Sequence, residues 1–152
     1  MKEDLLRRAH AGLSGPRRLR SVYLRRSVSD AYYALFHALA ELCADNLIGV
    51  TKRDREAWRR VYRGLDHGPA KNELNQRETR QLHQSVDRLA SAFLQLQEAR
   101  HEADYDPVTT LRRRSDAESY VAIAESAISE LDALPAEIRI ELAARLSFKK
   151  RS

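Results

Sequence analysis

The stretch VSDAYYALFHALAELC, Val28 to Cys43, decides the fold. Val28, Ala31, Tyr32, Leu35, Leu39, Leu42 and Cys43 recur in it at three- and four-residue steps, which places them on one buried stripe of an α-helix. Pro16, just after Gly12, Ser14 and Gly15, fits the first turn of this helix, and Gly49 fits its end beyond Leu47 or Ile48.

The same period runs through most of the chain. A short helix is expected over about 2–11. Thr51 is placed to cap a third, with Trp58, Val61, Tyr62 and Leu65 on its buried face, ended by Gly68 and Pro69. A less regular stretch follows to about Gln76. From Glu78, Leu82, Val86, Leu89, Phe93 and Leu96 form the most regular stripe in the protein, and one further step of four reaches Arg100. Asp106 and Pro107 break that helix. Ser115 with Glu118 reads as a capping box ahead of Ala117, Tyr120, Val121, Ala124, Ile128 and Leu131. Pro135 opens a last helix with Ile138, Leu142 and Leu146. The expected architecture is an all-α, antiparallel bundle of four to six helices, one domain over 1–152 with a basic tail from about 147.

With 152 residues, 43% of them hydrophobic and 32% charged, the chain has the composition of a folded domain and not of a disordered one. Cys43 is its only cysteine, so an internal disulfide is excluded and a reducing, cytoplasmic setting is expected. No apolar run approaches the roughly 18 residues that a membrane span needs.

The net charge of +5 is unevenly spread. Residues 1–30 hold Lys2, Arg7, Arg8, Arg17, Arg18, Arg20, Arg25 and Arg26 against three acids, and residues 52–63 hold Lys52, Arg53, Arg55, Arg59, Arg60 and Arg63 against two. Most of the cations are Arg, whose planar fork of donors matches phosphate oxygens. Arg17, Arg18, Arg25, Arg26, Arg59, Arg60 and Arg63 are therefore the candidate nucleic-acid contacts; the same clusters also read as ordinary solvated helix faces.

Metal and nucleophile templates are missing. The five histidines never pair at four-residue spacing, and neither HExxH nor a glycine-rich phosphate loop occurs, so no metal and no cofactor is expected. The position that stands out is Arg100. It continues an apolar stripe, and an inward-facing guanidinium needs a partner, which Asp104 can supply one turn on. His101, Glu102 and Tyr105 complete a dense polar cluster. It reads either as a functional site or as a salt bridge closing a helix end. His37 reads as core packing beside Tyr32 and Tyr33, and His67, in the basic turn RGLDHGPAK, either meets phosphate or caps a helix.

AYYALFHAL (Ala31 to Leu39), the basic turn with His67 and ARHEADYD (Ala99 to Asp106) together resemble the HEPN superfamily, in particular its small stand-alone proteins with an A-Y-Y-A-x-F-H signature and an R-x-x-A-D-Y element. The match spans roughly 20–130, in order. The resemblance implies a dimerising helical bundle in a superfamily of metal-independent RNases and toxin–antitoxin or phage-defence components, often beside a small nucleotidyltransferase. Its nucleases carry an Arg followed four to six residues later by a His; here Arg100 is followed by Asp104, and His101 is at another spacing.

Two functions follow. One is a metal-independent endoribonuclease, with Arg100 stabilising phosphorane charge, His101 or His67 as general acid or base, and Asp104 and Tyr105 as orienting groups. The other is a non-catalytic RNA- or nucleotide-binding module that forms a homodimer or partners an antitoxin or a nucleotidyltransferase. Single-stranded RNA is the expected ligand.

Overall fold

A computed structural model describes residues 1–107 and 113–151. Among these residues the chain forms eight α-helices and no strand: α1 (Lys2–Leu13), α2 (Arg20–Leu47), α3 (Glu56–Gly64), α4 (His67–Leu74), α5 (Arg77–Arg80), α6 (Gln84–Tyr105), α7 (Arg114–Asp132) and α8 (Ala136–Ser147). Single 3₁₀ turns lie at Arg17–Leu19 and Val50–Lys52.

The long helix α2 organises the packing. Every residue of its expected stripe is buried, and so are Ala34, Phe36, Ala38, Ala40 and Ala44. Small side chains on several sides allow neighbours to approach closely, so α2 is covered nearly all round. Between Ser27 and Ala44 only Tyr33, His37 and Glu41 keep appreciable exposure, and they follow each other at steps of four. Gly49 ends the helix with φ +128°, a conformation that side chains disfavour.

Two compact units divide the chain, the first made of Met1–Leu35 with Ser91–Ser129, the second of Phe36–Ala90 with Glu130–Ser152. In the first, Leu24, Val28, Ala99, Ala103 and Ala117 form a buried cluster against Leu13 and Tyr120. Helix α1 lies close on α2: a Cβ at Gly12 would come 2.2 Å from Ser27 Oγ. Arg8 ties the same two helices by donating to both oxygens of Asp30, at 2.7 and 2.6 Å. Asp30 is only 2% exposed, so its charge requires that bidentate partner.

In the second unit α4 packs on α5 and α8. Buried Thr79 donates to Glu73 Oε1 at 2.6 Å. Cys43 is fully buried, and burial pushes its thiol up to about 11, so it offers no thiolate nucleophile.

Several boundaries depart from the sequence reading; Ser115, expected to cap the helix after Pro107, lies inside α7, which begins at Arg114. The stretch after Leu65 holds two short helices, which raises the count above the expected four to six. Gly68 and Pro69 open α4 instead of terminating α3, because a first-turn proline forfeits no intrahelical hydrogen bond. Thr51 sits in a 3₁₀ turn, and α3 starts five residues later. The long stripe from Glu78 is interrupted, and α6 begins at Gln84, where His83 Nδ1 accepts the Ser85 N–H at 3.1 Å. No helix among the described residues is long and apolar enough to cross a membrane.

Candidate functional site

In the first unit the site candidates gather on the last two turns of α6. Arg100 Nε donates to Asp104 Oδ2 at 3.1 Å, and its guanidinium lies 5.5 Å from the ring centre of Tyr32 and 5.3 Å from that of Tyr33. The side chain is 19% exposed, so the stripe from Val86 to Leu96 does carry this cation inward. Burial works against the charge, but Tyr33, Asp104, Tyr32 and Tyr105 outweigh it and raise the guanidinium's pKa. Tyr32 is fully buried, and desolvation holds its phenol well above the usual range. Gln97 Oε1, one turn before Arg100, is buried without a hydrogen-bond partner among the described residues. His101 and Tyr105 form a separate pair, with ring centres 4.9 Å apart and Tyr105 66% exposed. The structure thus brings together Arg100 with Asp104, and His101 with Tyr105, while His67 belongs to the second unit.

The expected nucleic-acid cations divide by environment. Arg17 and Arg18, in the first unit, are exposed and pair with no described carboxylate. Arg26 is 64% exposed and only 3.7 Å from Asp30. Arg25 departs from the expectation of a solvated phosphate contact. Its Nη1 donates to the carbonyls of Ala103 (3.2 Å) and Asp106 (2.7 Å), and its Nη2 to that of Pro107 (3.2 Å), closing the C-terminal end of α6. The last carbonyls of a helix lack intrahelical donors and carry partial negative charge, which a cation from a neighbouring helix satisfies.

In the second unit α3 buries none of its residues. Arg59, Arg60 and Arg63 are exposed and pair with no described carboxylate. The other side of this helix meets the polar stripe of α2. Trp58 Nε1 donates to Asp45 Oδ1 at 2.9 Å, and Tyr62 shares a 2.7 Å hydrogen bond with His37 Nδ1. Arg53, just before the helix, donates to Asp45 at 3.0 and 2.5 Å and to Glu41 at 3.1 Å. The rings continue as a row: Trp58 on Tyr62 at 4.9 Å, Tyr62 on His37 at 5.7 Å, and Phe36 beside His37 at 5.8 Å with His67 stacked on its ring at 3.9 Å.

Sequence reasoning placed His37 in the core and missed this group. A signal was present in His37, Glu41 and Asp45, three polar residues at steps of four within an otherwise apolar helix. Burial lowers the pKa of His37, which keeps its imidazole neutral at neutral pH. Among the described residues no three His, Cys, Asp or Glu side chains gather as a metal site. Comparison with protein-family models, with curated proteins and with solved structures finds no match to this chain.

Proposed function

We propose that this chain is an RNA-binding, HEPN-like protein, a metal-independent endoribonuclease of toxin–antitoxin or defence type that works as a homodimer. One observation carries the reading: α3 buries nothing and holds Arg59, Arg60 and Arg63 exposed and unpaired, whereas most other arginines of the second unit are spent on carboxylates. Exposed guanidiniums with no internal use are the electrostatic footprint of a phosphate ligand. Arg17 and Arg18 supply the same feature in the first unit.

The test is a salt titration of affinity for single-stranded RNA. Each phosphate contact contributes roughly −0.7 to the slope of log affinity against log salt. Replacing Arg59, Arg60 and Arg63 by Gln should flatten the slope by about 2. A wild-type affinity indifferent to salt would remove the proposal.

A second reading has its own observation. Arg100 is already occupied by Asp104, Tyr32 and Tyr33, and the neighbouring His101 rests on Tyr105. That saturation favours a non-catalytic RNA- or nucleotide-binding module, partnered by an antitoxin or a nucleotidyltransferase, in which the Arg100 group holds the fold. Incubation with total RNA in EDTA, comparing the wild type with Arg100→Ala, separates the two.

A further inference from the structure

We propose that Val50 to Gly64 is a hinged arm that lifts from α2 as one piece while the rest of the second unit stays folded, and that a polyanion holds it open by taking Arg53 from the carboxylates of α2. The arm itself rests on geometry alone. Its coupling to a polyanion rests on the RNA-binding reading above and gives that reading a regulation.

From Val50 to Gly64 no residue is buried, and Leu65 is the first that is. Helices in proteins are kept in place chiefly by the apolar face they bury, and α3 has none. Polar and ring contacts to three residues of α2 hold it instead. Tyr62 is hydrogen-bonded to His37 Nδ1 and stacked on its ring. Trp58 Nε1 donates to Asp45 Oδ1, and Arg53 donates to Asp45 and Glu41 while its guanidinium lies 5.9 Å from the Trp58 ring centre. On opening, each of these bonds is exchanged for one to water, so the net hold of each is small.

Both ends of the arm are free to turn. Gly49 already sits at φ +128°, a conformation suited to glycine, and at Gly64 an added Cβ would meet nothing within 4 Å. Beyond these hinges, Ala44 on one side and Leu65, Ala70 and Leu74 on the other are buried and stay with the unit. The nine residues of α3 are too few to keep a helix in water alone, so lifting the arm also frees its backbone amides.

In the closed arm Arg53 is occupied by Asp45 and Glu41, two fixed negative charges set against the same arm that displays Arg59, Arg60 and Arg63. Opening draws those cations away from the carboxylates and releases Arg53 to join them. A polyanion therefore binds the open arm more tightly than the closed one, and such a preference shifts the population toward it.

The test uses the full chain. Without ligand, native-state hydrogen exchange should show the amides of residues 59–64 exchanging at least about 100-fold faster than those of 36–44, at rates indifferent to urea below the unfolding transition. Trp58 is the only tryptophan, so its emission reports the arm. Long-chain inorganic polyphosphate, which carries the charge of RNA without absorbing where tryptophan does, should shift that emission to longer wavelength at saturation. In a salt titration of affinity for single-stranded RNA, Arg53→Gln should flatten the slope by about 0.7, the share of one phosphate contact.

Amides of 59–64 that exchange at the same rates as those of 36–44, with the same urea dependence, overturn the arm whatever RNA does. Binding that leaves Trp58 emission unmoved, or a slope unchanged in Arg53→Gln, overturns the coupling and leaves the RNA reading intact. Absence of binding to polyphosphate and RNA alike removes the RNA reading and the coupling with it, while the exchange rates still decide the arm.

Discussion

His37 and Tyr62 are joined twice, by a 2.7 Å hydrogen bond from ring nitrogen to phenol and by stacking of their rings at 5.7 Å. The pair fastens a helix that buries none of its own residues onto the central helix. An unfolded histidine titrates near 6.5, and burial holds His37 below that value in the folded chain. As pH falls through about 6.5 the unfolded chain takes up a proton that the folded chain refuses. The stability contributed by a neutral His37 is therefore fully present above that pH and is lost below it. The charge of a protonated His67 works in the same direction as burial. Urea unfolding between pH 8 and 5 should show a steeper acid loss for the wild type than for His37→Gln. Parallel curves would refute the assignment.

Arg25 and Arg26 are sequence neighbours with different work. Arg25→Gln strips three carbonyls at the end of α6 of their donor and should cost about 1 to 2 kcal/mol. Arg26, 64% exposed, should cost under about 0.5 kcal/mol when changed to Gln. Equal melting temperatures for the two variants would show that the Arg25 contacts contribute nothing.

Arg100→Ala removes a cation from two tyrosine rings and from Asp104, which should cost about 1 to 3 kcal/mol. Changing Arg100 to Met and Asp104 to Leu together should recover most of that loss, since an apolar pair suits the seam. If RNA cleavage persists in this double variant at the wild-type rate, the Arg100 group is structural. A double variant less stable than Arg100→Ala would contradict the pairing energetics.

Leu19, in the 3₁₀ turn before α2, and Val22 and Tyr23, in its first turn, are 49%, 63% and 37% exposed. A second copy of the chain covering this face fits the proposed homodimer. Sedimentation at micromolar concentration should show twice the 17.4 kDa chain mass, reverting to the monomer in Val22→Glu. A wild-type protein sedimenting only as the monomer ends the dimer proposal.

The sequence by itself determined the long helices and the buried stripes of α2 and α6, but not α4 and α5, and the face expected on α3, Trp58, Val61 and Tyr62, is only half-buried. The period from Val28 to Cys43 and from Val86 to Leu96 names residues that are all buried, because apolar spacing is a local property that one turn of helix imposes on the next. The inward turn of Arg100 and its bond to Asp104 followed from that spacing too. Only the tertiary structure decided what comes to meet each face. Arg25 reads as a surface cation until the carbonyls of Ala103, Asp106 and Pro107 are set against it from a helix some 80 residues away, and His37 reads as core until Tyr62 arrives on its ring. Such contacts depend on which segments pack together, and packing is settled by the area the whole chain can bury, which no local period encodes.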